Sequence, residues 1–303
     1  SSRNEPKILC FMMTHSGYHN TRVQAVLETW GPKCDKLLVA TNTTTTTSSS
    51  TTTTKNSNSV VYVPMHAEAT YENLWNKLNE TVQYVWNNYY DNNINEEETE
   101  EAYYDWFFKV DDDTFVVMEN LKLFLQSETV QKKATTEPLV FGHPARSVSW
   151  KDCDKWKGAD LPHNQAFLQH FFNHVVKSKY DTANFLAGGS GYVFNRLYLK
   201  EFVEALNGPW APRDASPPED MAHGMTMMTR GIHPQPSEDK LGQSRFIPEA
   251  PALWTYIHNQ RILRGNIPHT QKPCTRYCVS MHHISPLHMR YLYDQLYHCP
   301  SSS

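Results

Sequence analysis

Short, unbroken apolar runs punctuate the first half of the chain, separated by stretches whose apolar residues recur at helical spacing. Lys7–Met13 (KILCFMM), Lys36–Thr41 (KLLVAT) and Val60–Pro64 (VVYVP) have the length and composition of strands buried on both faces. Between the first two, Asn20–Trp30 places Val23, Val26, Leu27 and Trp30 on one helical face and stops at Gly31-Pro32. A longer helix is predicted over roughly Glu72 to Tyr89, with Leu74, Leu78, Val82 and Val85 along one side. A strand at Trp106–Val110 resumes at Phe115–Val117, a helix follows near Met118–Ser127, and another strand lies at Leu139–His143. Strands alternating with helices predict an α/β fold, a mostly parallel central sheet flanked by helices.

The second half is less regular. A Gly-rich turn leads into an apolar strand over Leu186–Phe194, then a helix near Arg196–Leu206. The loop Ala211–Asp220 opens a further helix around Pro218, where a proline followed by acidic residues is ordinary helix-start chemistry. Residues 43–58, nearly all Thr and Ser up to Thr54, read as a mobile surface loop, and the acidic run Asn95–Glu101 as a solvated loop without function. The expected organisation is one domain over residues 5–299, with a regular half (5–145) and a less regular half (146–299).

Composition narrows the function. At 303 residues the chain can bury a substantial core, and a 12% aromatic content suits a globular protein with an aromatic-rich cleft. A net charge of −4 supplies no basic field, which argues against nucleic acid as a partner. No apolar run has membrane-spanning length. Six cysteines spread over this length do not make a small disulfide scaffold. Cys274, Cys278, His282 and His283 superficially resemble a zinc site but lack two close ligand pairs, which favours disulfides and a separate role for one histidine. With the sequons at Asn42 and Asn79, the cysteines fit a secreted or luminal protein.

The chemistry concentrates in WFFKVDDDTFVV, residues 106–117. Three adjacent carboxylates at the end of a core strand repel one another and are costly to bury unless paired or neutralised by a cation. A solvated acidic turn is the plainer account. Ligands of parallel sheets sit beyond the carboxyl ends of the strands, where Asp111, Asp112 and Asp113 fall.

Six ordered blocks carry a family resemblance: KILCFMMTHSG, RVQAVLETWGPKCDKLLVAT, DWFFKVDDDTFVVMENL, FLAGGSGYVFNRLYLKEFVEAL, PEDMAHG and VSMHHIS. Together they resemble family 31 of the glycosyltransferases, nearest its core 1 β1,3-galactosyltransferases, from about Lys7 to Tyr297. The resemblance implies a GT-A fold, with residues 5–145 as the nucleotide-sugar-binding half and 146–299 as the acceptor-binding half, and a luminal catalytic domain of a type II Golgi membrane protein, attached through an anchor outside this chain. It implies inverting transfer of galactose from UDP-galactose to O3 of GalNAc on Ser or Thr of glycoproteins or glycopeptides, and homodimerisation as a family expectation.

The resemblance also assigns roles. Asp111 and Asp113 are the outer members of a DxD pattern on one side of an extended segment, with Asp112 turned away. Asp113 is expected to bind the metal directly, Asp111 to contact the ribose or metal-bound water, and Asp112 to share one of these tasks. His282 completes the site, and His283 is left as an ordinary surface or core residue. Manganese fits such ligands, and ligand type alone does not separate it from magnesium. Asp220 is the expected base, with Glu219 its alternative or an acceptor-positioning group; helix capping explains the same pair. Uridine is expected near Thr14 and His15, with Arg22 supplying positive charge and Lys77 at a donor-site position. Trp75 is either beside the donor or in the core. Gly188 and Gly189 either admit a donor sugar or make a tight turn. Trp254, Tyr256 and Tyr277 are the candidates for the acceptor site. Family cysteines flanking the Glu-Asp block are absent here, which suggests a lost bridge. Two rivals remain: a fringe-like enzyme with another donor or acceptor, and a non-catalytic chaperone relative.

Overall fold

The computed structural model describes residues 5–42, 60–67, 70, 73–90, 103–145, 161–176, 185–213, 218–249 and 277–298. The Thr/Ser-rich segment, the acidic run, Trp254, Tyr256, Cys153, Cys274 and Cys299 lie outside them.

Four parallel strands form the frame: β1 (Ile8–Met13), β2 (Lys36–Thr41), β3 (Val60–Pro64) and β4 (Trp106–Asp111). After β5 (Phe115–Val116), β6 (Val140–Gly142) and β7 (Tyr192–Asn195) complete a six-stranded sheet of order β3-β2-β1-β4-β7-β6, in which β7 runs antiparallel to both neighbours. A second, three-stranded sheet joins β5, β9 (Ser280–Met281) and β8 (Phe246–Ile247) in that order. The mostly parallel α/β class read from the sequence is the class observed.

Strand pleating sorts the core. Ile8, Cys10 and Met12 of β1 and Trp106, Phe108 and Val110 of β4 face one side, while Leu9, Phe11, Met13 and Phe107 face the other. The first side is covered by α1 (Gln24–Glu28), α3 (Met118–Leu125), α4 (Glu128–Ala134), the small sheet and, after the helices named next, α8 (Pro286–Tyr297). The second side is covered by α2 (Leu74–Tyr89), α6 (Arg196–Leu206) and α7 (Glu219–Met228). Helix α5 (Leu161–His170) packs Phe167 and Leu168 with Phe185, Met225 and Met228 in a satellite cluster.

Local chemistry sets several element ends. Asn195 caps α6 by accepting from the Tyr198 N–H, and Ser285 with Pro286 opens α8. The helix expected over Asn20–Trp30 is one wide turn, His19–Val23, followed by the short α1. A disulfide joins Cys10 in β1 to Cys34 just before β2. Among the described residues, no helix is long and apolar enough to cross a membrane.

Candidate active site

The register of β1 with β4 places Met13 opposite Asp111, so the segment leaving β1 lies against the aspartate turn. Asp112 points into that contact. The residue is 5% exposed, and its carboxylate accepts from Thr14 Oγ1 at 2.6 Å and Arg22 Nη1 at 2.9 Å. Burial pushes its pKa up, although Thr14 and Arg22 pull against it. Asp112 is therefore anchored inward on Thr14 and Arg22. Arg22 also reaches Asp113 Oδ2 at 3.2 Å and stacks over Tyr18, so its charge is directed at the aspartates.

The other residues expected near uridine line the same corner. His15 Nδ1 accepts from the Gly17 N–H at 3.2 Å and its ring packs on Tyr18. Lys77, reaching across from α2, is buried and donates to the Thr14 carbonyl; burial lowers its pKa. Trp75 belongs to the core: it is buried, and its Nε1 donates to the Pro212 carbonyl at 2.9 Å.

Asp113 faces the small sheet. His282 Nε2 lies 3.1 Å from Asp113 Oδ1 and 3.9 Å from Asp111 Oδ2, while its Nδ1 donates to the Pro248 carbonyl at 3.1 Å. Burial raises the Asp113 pKa, but His282 and Arg22 outweigh it and hold the carboxyl below its ordinary range. Burial likewise opposes the His282 charge, and Asp113 and Asp111 overcome that to raise it. His283, read from sequence as an ordinary residue, places Nδ1 3.7 Å from Asp113 Oδ2. One carboxylate oxygen of Asp113 and one nitrogen each of His282 and His283 lie within 4.8 Å of one another. Oxygen and imidazole donors so gathered, with the outer nitrogen of His282 tied to a carbonyl, fit a divalent transition cation.

Asp111 belongs equally to a second group. Lys109, two residues earlier on the same face of β4, is 1% exposed. Its ammonium donates to Asp111 Oδ1 at 2.8 Å, Glu219 Oε2 at 3.2 Å and the Gly188 carbonyl at 3.2 Å. Burial works against that charge, yet the two carboxylates hold the Lys109 pKa above its ordinary value. Glu219 is completed by the Tyr192 hydroxyl, which donates to Oε1 at 2.6 Å. Burial, offset by Lys109, leaves the Glu219 pKa raised. Asp220, on the next helical position, is less enclosed; it accepts from the Gly188 N–H at 3.3 Å and the Met221 N–H at 2.8 Å. Burial is the main cause of its raised pKa.

Gly188 and Gly189 connect the two groups. A Cβ on Gly188 would stand 2.6 Å from Glu219 Oε2, and one on Gly189 would stand 2.1 Å from the His282 ring. In this structure the close approach that glycine permits is to these side chains. Gly191 completes the turn at φ +77°.

Lys109, Tyr192, Pro248 and Glu249 were not singled out from the sequence. Lys109 carried a usable signal, a charge inside an otherwise apolar strand and in phase with Asp111. The other three carried none, because their roles depend on which strands become neighbours.

Residues 4–237 match the family model described as Fringe-like. That stretch includes the aspartates, the Gly188–Gly189 turn and the Glu219–Asp220 pair; His282 and His283 fall beyond it. Glycoprotein-N-acetylgalactosamine 3-beta-galactosyltransferase 1 of Xenopus laevis is 27% identical over 208 residues, covering 64% of this chain and 46% of that protein. The match thus spans about half the length of that curated relative. A solved structure of galactosyltransferase LgtC with donor and acceptor sugar analogues aligns over 97% of this chain and 98% of its own at 8% identity. The TM-score of that alignment is 0.42.

Proposed function

Because the chain belongs to the Fringe-like family, we propose that it is a metal-dependent glycosyltransferase of GT-A type, moving galactose from UDP-galactose to O3 of GalNAc on Ser or Thr with inversion. The observation that carries this reading is the opposition of two groups across Gly188–Gly189. The Asp113–His282 pair lies on one side and the Glu219–Asp220 pair on the other. The relative from Xenopus laevis supports the choice of donor and acceptor.

Asp113 and His282, with Asp111 beside them, would hold a divalent cation whose chemistry is to set positive charge against the leaving diphosphate. Asp220 takes the acceptor hydroxyl proton. Its carboxylate is oriented by the Gly188 and Met221 N–H groups, and its raised pKa makes it a stronger base than an exposed aspartate. Glu219 is committed to Lys109 and Tyr192, so it shapes the acceptor side and leaves proton abstraction to its neighbour. The Cys10–Cys34 disulfide supports an oxidising compartment, in keeping with a Golgi lumen.

The test is incubation with manganese, a GalNAc-threonine glycopeptide and a panel of UDP-sugars, following product mass with and without a chelator. The expected result is a chelator-sensitive gain of one hexose from UDP-galactose alone. Transfer from UDP-N-acetylglucosamine instead would favour the fringe-like enzyme. Measurable UDP binding with no transfer from any donor would overturn the acceptor assignment.

A further inference from the structure

We propose that His283 is a second imidazole ligand, making the cation site a two-histidine, one-carboxylate centre that favours transition metals over magnesium. The inference rests on the metal-dependent reading above and adds a residue to it.

Three observations converge. The first is pairing through register. Strands β8 and β9 run parallel with Phe246 opposite Ser280 and Ile247 opposite Met281, and just beyond them Pro248 meets His282 and Glu249 meets His283. The outer nitrogen of each imidazole then faces an oxygen of its own neighbour. His282 Nδ1 lies 3.1 Å from the Pro248 carbonyl, and His283 Nε2 lies 3.6 Å from Glu249 Oε2. The inner nitrogens face the two oxygens of one carboxylate, His282 Nε2 toward Asp113 Oδ1 at 3.1 Å and His283 Nδ1 toward Asp113 Oδ2 at 3.7 Å. A hydrogen-bonded acceptor behind a ring fixes a histidine's tautomer and aims the opposite nitrogen at a metal; the Pro248 carbonyl does this for His282, and the Glu249 carboxylate stands behind His283 as its charge partner.

The second observation is the backbone. His283 has φ +58°, and it is the one non-glycine residue in the left-handed region among the described residues. That conformation is uncommon for non-glycine residues, histidine adopting it more readily than most, and such positions cluster at functional sites. Here it turns two consecutive side chains to the same side: the rings stack with centroids 3.8 Å apart and planes 26° from parallel. An extended strand would send them to opposite faces.

The third is chemical class. One carboxylate and one imidazole discriminate weakly between manganese and magnesium. A second nitrogen donor shifts preference toward cobalt, zinc or manganese, because magnesium favours all-oxygen shells. The half-exposed His283 edge leaves the site open to a diphosphate.

The experiment is direct cation titration of the purified protein, without substrate, by calorimetry and by the visible absorption of bound cobalt. His283→Ala and His283→Asn are compared with His282→Ala, the asparagine variant because it tolerates a positive φ. Circular dichroism melts confirm that each variant is folded. His283 acts as a ligand if both of its variants weaken cobalt binding by about 10- to 100-fold and shift the cobalt spectrum. Magnesium binding should change by less than about threefold. Cobalt affinity and spectrum unchanged in folded His283 variants, with binding lost in His282→Ala, would overturn the second ligand and leave the metal-dependent reading standing. No saturable binding of any cation by the unaltered protein would overturn both.

Discussion

Lys109 holds a full charge in the middle of a core strand because three acceptors surround it, two of them carboxylates. Replacing it with Met keeps the volume but leaves Glu219 buried against Tyr192 without its cation. Lys109→Met should therefore lower stability by about 3–5 kcal/mol in urea melts, and adding Glu219→Gln should recover part of the loss. A Lys109→Met protein as stable as the unaltered one would show the pair to be dispensable. Asp220 makes a separate prediction. Burial raises its carboxyl pKa, so the ionised form that accepts a proton is lost at higher pH than for an exposed aspartate. The turnover number should be full above that raised value and fall as pH drops through it. An acidic limb at or below the ordinary aspartate range would contradict the assignment. Asp220→Asn should reduce turnover by about 10²- to 10⁴-fold with little change in donor binding.

The element that couples the two sides is the turn from Gly188 to Gly191, which leads into β7. It presents the Gly188 N–H to Asp220 and the Gly188 carbonyl to Lys109, while the Gly189 carbonyl accepts from Thr114 Oγ1 at 2.7 Å. A methyl group at Gly189 would occupy the place of the His282 imidazole, which must then swing away from Asp113. Gly189→Ala should cost about 100-fold in transfer rate and weaken cation binding, since displacements of about 1 Å carry penalties of that size. Cation affinity and transfer rate left unchanged would show that the ring has room to adjust. The start of α7 contributes in another way. Pro218 gives no side-chain cap, and Asp220 accepts from the Met221 N–H of the first turn, so capping and the proposed base function use the same carboxylate. The two explanations weighed for the Glu-Asp pair are thus compatible.

Across the whole molecule, a sheet buried on both faces brings chemistry to its edge from opposite sides. Phe107, Lys109 and Asp111 share one face of β4, yet Asp111 Oδ2 also lies 3.9 Å from His282 of the small sheet. The Cys10–Cys34 disulfide ties β1 to the approach of β2 across 24 residues, beside the strands that set the aspartate register. Its removal by paired substitution to Ala should lower stability by about 3 kcal/mol, read from denaturant melts. An unchanged midpoint would show that the core already restrains this segment. The sequence by itself determined the strand–helix alternation, because periodicity 2 against 3.6 and unbroken apolar runs are short-range physics. It also placed the aspartates at the end of β4 and Glu219–Asp220 at the start of α7, since strand ends and helix starts are marked by neighbouring residues. The partners of those carboxylates were decided only by the tertiary structure. Lys109 and Glu219 are 110 positions apart, Arg22 and Asp112 are 90 apart, and His282 meets Pro248 across 34. Such pairs depend on strand register and on which helix covers which face. A buried charge takes whichever partner that packing supplies.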